Sequence, residues 1–234
     1  MRSEAEATTL CQNCGADAPA KFCPECGQST TVALPTLWGF LQEAVGAFFS
    51  YDHKLWATLR MLITRPGQLT VDYVEGRRVR YLAPFQLLFW LQALTFLAYK
   101  LTFDAAEGGA DRQSKAVLTI GTFLAVALAL LHFRKGASVL LHFLTALHLW
   151  AFLMVLLLIE YITVPLVAVA LQKLKLVQGA LPIGDFVTHS VEISLSLYLV
   201  LAIRRIYKDS LPVAILKTLV LLVAYLGFVQ LIRL

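Results

Sequence analysis

Two short cysteine pairs carry the clearest chemistry in the chain: Cys11-Gln12-Asn13-Cys14-Gly15 and Cys23-Pro24-Glu25-Cys26-Gly27, with eight residues between them. Four thiolates at C-x-x-C spacing supply the tetrahedral ligand set of a structural zinc site. The glycine after each second cysteine permits a positive φ, so backbone N–H groups can turn towards the sulfurs. The spacing predicts a zinc ribbon or paired knuckle over residues 1–28, with Zn2+ held by Cys11, Cys14, Cys23 and Cys26 and with Phe22 covering the metal. Two redox dithiols or two disulfides are the alternatives, and a reducing cytoplasmic location favours thiolate and metal. Four protein ligands leave no open coordination position, so the metal is expected to fold the segment rather than to catalyse.

The other ionisable candidates stand in apolar surroundings. His189, Glu192 and Ser196 share one helical face, and Glu160 falls at the same expected depth. Glu160, His189 and Glu192 thus define an intramembrane polar pocket for a proton, a metal ion or a lipid headgroup. The plainer reading is hydrogen bonding between helices by small polar side chains. His132, His142 and His148 lack the i, i+4 spacing of two ligands on one helix face and read as hydrogen-bonded core histidines. The chain has no P-loop, G-x-S-x-G or H-E-x-x-H sequence, and it is not expected to be an enzyme.

What must position these residues follows from composition. Of 234 residues 59% are hydrophobic and 15% charged, with a mean hydropathy of +0.71. A globule of this size leaves too much surface in water to absorb that much apolar area. The expected fold is an all-α integral membrane bundle of about five transmembrane helices, preceded by the small cytosolic ribbon and by amphipathic interfacial helices. The bundle occupies residues 82–234, with spans near 82–103, 116–133, 137–160, 186–203 and 211–232, each close to the length that crosses the hydrocarbon layer. Residues 161–184 read as an extension of the third span or an interfacial segment. Residues 1–9 hold two glutamates and no apolar run, which predicts no signal peptide.

With the N-terminus placed in the cytoplasm, Arg77, Arg78, Arg80, Arg134, Lys135, Arg204, Arg205 and Lys208 fall inside, and Arg112, Lys115, Lys173, Lys175 and Arg233 outside. This is the positive-inside bias, and it puts the C-terminus outside. Lys217 is read as snorkelling back to the inner face.

Residues 29–81 are expected to form a linker and amphipathic juxtamembrane helices. Leu37, Phe40, Leu41, Val45, Phe48 and Phe49 recur at helical spacing after Pro35, and Leu55, Trp56, Leu59, Leu62 and Ile63 form one side of a second helix. With Lys54, Arg60 and Arg65 as the polar complement, such helices either lie on an anionic inner leaflet, where each basic residue contributes about 1 kcal/mol, or pack as a hairpin on the bundle. Arg77, Arg78 and Arg80, just before the first span, are the expected contacts to anionic lipid.

The succession Cys26-Gly27-Gln28, Phe49-Ser50-Tyr51-Asp52, Thr64-Arg65-Pro66-Gly67 and Tyr73-Val74-Glu75-Gly76-Arg77-Arg78-Val79-Arg80-Tyr81 with Pro84 resembles an uncharacterised family of bacterial multi-pass membrane proteins of unknown function. Its matching segments read T-R-P-G and Y-x-x-G-K-R-x-x-Y-x-x-P. The likeness covers about the first ninety residues, with a looser echo at 142–152 and 201–210. It implies an inner-membrane protein with a cytosolic zinc ribbon and no known catalytic residues. In layout alone the chain is also similar to membrane components of bacterial lipid-transport systems that carry cysteine-pair ribbons. Membrane lipids and a membrane or cytosolic protein are therefore the expected partners, with a scaffold ranked above a lipid or solute transporter. Nucleic acid is not an expected partner, because the ribbon sets Lys21 against Asp17 and Glu25 and has no basic stripe.

Overall fold

The computed structural model describes residues 10–30, 54–102, 123–124, 126–132, 138–174 and 183–233. The expected helix over Leu37 to Phe49 and most of the second expected span lie outside them. The named helices are α1 (Leu55–Thr64), α2 (Gln68–Val74), α3 (Pro84–Thr102), α4 (Val139–Lys173), α5 (Ile183–Tyr207) and α6 (Leu211–Arg233). Residues 126–132 are also helical. Among the described residues the only extended pairing consists of two single bridges in the cysteine segment.

Helix directions follow from which side chains meet. The Thr95 hydroxyl donates to the Met154 carbonyl and the Thr102 hydroxyl to the Tyr161 carbonyl, both across 59 residues, so α3 and α4 run parallel. Phe152 stacks on Tyr198, and Tyr207 meets His142, so α5 runs antiparallel to α4. Phe123 stacks on Phe228 while His132 approaches Asp209 at the opposite end of α6, which makes the 123–132 segment antiparallel to α6. Parallel neighbours need a return path.

α4 is 35 residues long. At about 1.5 Å per residue it reaches about 50 Å, well beyond the ~30 Å hydrocarbon layer. The stretch after Glu160 is therefore an extension of this helix as far as Lys173. Pro165 stands inside α4 without breaking it. Having no N–H, Pro165 leaves the Tyr161 carbonyl without its usual helical donor. The Thr102 hydroxyl supplies one at 2.9 Å, and Tyr99 sets its ring edge-on to Tyr161. The α3–α4 seam thus repairs the defect that the proline creates.

Among the described residues two helices are long and apolar enough to cross a membrane, Val139–Leu171 within α4 and Leu211–Phe228 within α6. That is fewer than the five spans expected. α3 falls short because Gln86, Gln92 and Lys100 dilute its apolar run.

The Thr64-Arg65-Pro66-Gly67 segment turns the chain from α1 into α2 against the end of α5. Gly67 has φ +77°, and a Cβ there would lie 3.1 Å from the Ala202 Cα and carbonyl oxygen and from Ile206 Cγ1. Arg205 Nη1 donates to the Pro66 carbonyl at 2.6 Å. Replacing Gly67 with alanine combines left-handed strain with overlap against backbone. It should cost about 2–5 kcal/mol, read as a lowered Tm in detergent.

Candidate metal centre and its junction with the helices

The cysteine segment is one small motif made twice. In the first knuckle the Cys11 amide donates to the Ala16 carbonyl and the Gly15 amide to the Cys11 carbonyl, each at 2.8 Å. In the second, Cys23 donates to Gln28 at 2.8 Å and Gly27 to Cys23 at 2.9 Å. Gly15 and Gly27 have φ of +77° and +73°, the conformation that favours glycine. Bridges Leu10–Asp17 and Phe22–Ser29 close the two loops.

The four Sγ atoms lie within 4.8 Å of one another. The closest approaches join the knuckles, Cys14 to Cys23 at 3.5 Å and Cys11 to Cys26 at 3.6 Å. A tetrahedron with metal–sulfur bonds of about 2.3 Å has edges of about 3.8 Å, so the cage could hold a metal ion. All four cysteines are free, and contacts of 3.5 and 3.6 Å between the knuckles draw them into one cage.

Charge points the same way. The Cys14 amide, with that of Asn13 and the Cys26 thiol, holds the Cys11 thiol down to about 6 against desolvation. The Ala16 amide likewise favours thiolate at Cys14, but desolvation and the crowding of Cys23, Cys26 and Cys11 push that thiol up to about 12. Cys11 thus forms a thiolate readily, and Cys14 resists following it. A divalent cation at the centre relieves that repulsion.

Phe22 does not cover the metal position. It is exposed, with Lys21 Nζ 5.7 Å above its ring, and Leu10, its counterpart in the first knuckle, is exposed as well. Each bridge residue precedes its cysteine, so its side chain points to the face opposite the thiol.

The sequence reading missed how this segment is attached. Gln28, almost fully buried, donates from Nε2 to the Gly76 carbonyl at 2.6 Å and accepts at Oε1 from the amides of Arg78 and Val79 at 3.2 and 3.4 Å. Its side-chain amide thus pairs with the backbone just before α3. That backbone is held by a Schellman turn at the end of α2. The Gly76 amide reaches the Tyr73 carbonyl at 3.2 Å, the Arg77 amide reaches the Asp72 carbonyl at 2.8 Å, and Gly76 has φ +89°. The Y-x-x-G-R pattern is this helix stop.

Asp72, also missed, is the hub beneath it. Its buried carboxylate accepts from Arg77 Nη2 at 2.6 Å and from Gln68 Nε2 at 2.7 Å. Arg77 is held firmly protonated by Asp72, with help from Glu75. Burial, with the Asp72 charge, raises the Tyr81 phenol. Arg78 donates to the Tyr73 carbonyl at 3.2 Å and lies 4.7 Å above the Tyr73 ring. Two of the three arginines expected at lipid are therefore engaged within the chain. Arg80 is exposed, 5.9 Å from the centre of the Tyr81 ring.

Within the helices, Glu160 lines an open groove of about 280 Å³ with Thr163, Ser190 and Ser194. His189 and Glu192 pair with each other at 3.3 Å on an exposed face and do not line that groove. Ser196 donates to the Glu192 carbonyl. The three inner histidines are buried and bonded: His148 to Thr70 at 2.8 Å, His142 to Tyr207 at 2.9 Å and His132 to the Leu128 carbonyl at 3.0 Å. Lys217 reaches back, as a snorkelling lysine would, but ends on buried Asp209 at 2.7 Å instead of in water. Asp209 follows Lys208, which has φ +54° between α5 and α6, so only the turn brings it under Lys217.

No curated protein and no solved structure matches the chain. Residues 52–96 match the model of a family described as "Protein of unknown function (DUF3667)". That stretch holds α1, the Gly67 turn, α2, the Schellman turn with Asp72 and most of α3, but none of the four cysteines. The similarity of this junction is thus to an uncharacterised family, in keeping with the family that its motifs resemble.

Proposed function

We propose that this is a multi-pass protein of a bacterial inner membrane that works as an anchored interaction or scaffold protein, with a Zn2+-loaded ribbon as its cytosolic head and the C-terminus in the periplasm. The observation that carries this reading is the Gln28 amide, which ties the four-thiol cage to Gly76 and Val79 immediately before α3. Through it a small motif gains a fixed attitude at one end of the helices. Such a head can present Leu10 and Phe22 as a paired apolar contact to a protein partner. The closed ligand set gives the metal a folding role.

The test is purification of the intact protein in mild detergent after crosslinking, with zinc and bound protein measured together. About one zinc per chain is expected. A specific crosslinked protein should disappear in Leu10→Ser with Phe22→Ser while zinc stays bound. Retention of that partner by the double variant would refute the ribbon as the contact.

The groove at Glu160 favours a second reading, a component of lipid or small-solute transport. If Glu160→Gln leaves transport-linked growth unchanged wherever deletion of the protein impairs it, the groove has no such role.

A further inference from the structure

Of the arginines expected at lipid, Arg77 bonds to Asp72, Arg78 lies over Tyr73 and Arg80 is exposed. The structure instead presents another basic and aromatic surface on α1. Thr58 and Leu62 face inward and are buried, whereas Trp56 is 79% and Ile63 48% exposed, with Arg60 exposed between them. Residues 56, 60 and 63 follow the i, i+4, i+7 stripe of one helix face. Arg65, the C-cap residue, is exposed just beyond the helix, and among the described residues neither Arg60 nor Arg65 forms an ion pair.

The level of this stripe is set by Thr58, whose Oγ1 accepts the Leu82 amide at 3.0 Å just before Pro84 opens α3. α1 therefore lies where α3 begins, at the end of the helix set that also carries Arg204 and Arg205.

We propose that the outward face of α1 is a binding site for anionic phospholipid, with Trp56 and Ile63 seated at the boundary between headgroups and acyl chains and with Arg60 and Arg65 on the phosphates. An indole beside guanidinium groups suits that boundary, which offers apolar depth and anionic oxygens within one side-chain length. The alternating cations make a poor core for a protein contact, since charge is depleted there.

The inference rests on the spanning reading, and one experiment separates the two. The full chain is placed in nanodiscs of phosphatidylcholine, with or without phosphatidylglycerol, using lipids brominated either near the glycerol or deep in the acyl chain. The difference between wild type and Trp56→Phe isolates Trp56 from the other three tryptophans. Its emission should fall by about half with shallow bromines, more so in anionic discs. Arg60→Gln with Arg65→Gln should remove the anionic preference. Quenching of Trp56 by aqueous iodide but not by bromolipid would overturn the proposal, as would equal quenching in neutral and anionic discs or protection from both quenchers. Deep-bromine quenching that survives in Trp56→Phe shows the helices in the bilayer even if α1 is not at its surface; its complete absence would overturn the spanning reading itself.

Discussion

Replacing Cys23 with serine is expected to reduce bound zinc from about one equivalent to almost none and to unfold residues 10–30 as a unit. The segment has little else to fold it. Its buried apolar cluster consists of Cys11, Ala18 and Cys23, with Ala16 and Cys26 against it. With so small a core and no metal to hold the four thiols within 4.8 Å of one another, the apo knuckles should come apart. The effect should travel, because the Gly27–Gln28 turn is set by the Gly27 amide bonding to Cys23. With that turn lost, Gln28 no longer holds the backbone at Gly76. Hydrogen exchange should therefore quicken at Arg78 and Val79, 50 and 51 residues from Gln28, in both Cys23→Ser and chelator-treated protein. Unchanged exchange there, with zinc gone, would mean that the latch forms without the metal.

The second large effect is expected at Asp209. Its carboxylate is 4% exposed and holds Lys217, itself 16% exposed, at 2.7 Å. His132 is fully buried beside it, with Nε2 3.4 Å from the same oxygen. Nδ1 of His132 faces the Leu128 carbonyl, which can only accept, so the ring's proton sits on that side. Asp209→Ala would leave an ammonium group with no counter-charge in the apolar end of α6. Breaking a buried pair from one side costs about 3–5 kcal/mol. Lys217→Met in the same chain removes the stranded charge and should recover most of that loss. Thermal unfolding of the two single variants and the double variant in detergent gives the coupling directly. An Asp209→Ala protein as stable as wild type would show that Lys217 finds water, and that the ion pair contributes nothing.

Features that depend on neighbouring residues were legible in the one-dimensional string. The C-x-x-C-G spacing predicts the knuckles, because ligand bite and a positive-φ glycine lie within five residues. The Y-x-x-G-R pattern is a helix stop for the same reason, with donor and acceptor three or five positions apart. The long apolar runs of α4 and α6 declare their membrane-crossing capacity by length alone. The core placement of the three histidines also follows from spacing, since none sits where two could share a helix face.

Features that depend on contact across the fold were not legible. Trp56 and Ile63 share the apolar side of α1 with Leu55, Leu59 and Leu62 by periodicity, yet only packing against α2 and α4 decides which of them are buried. Glu160, His189 and Glu192 stand at one expected depth. A rotation of α5 about its own axis separates Glu160, in the groove, from the other two, which face outward. Arg77 reads as a free cation until the Schellman turn folds it onto Asp72. Composition and spacing by themselves determined a four-thiol cage, helical punctuation and an apolar helical body. The tertiary structure decided that the cage is latched by Gln28 to the start of α3, that Asp72 and Asp209 neutralise the cations beside them, and that α1 offers the unspent ones. The physical reason is range: ligand bites and helix stops are closed by a few adjacent dihedrals, whereas the partner of a long side chain depends on which surfaces the whole chain brings together.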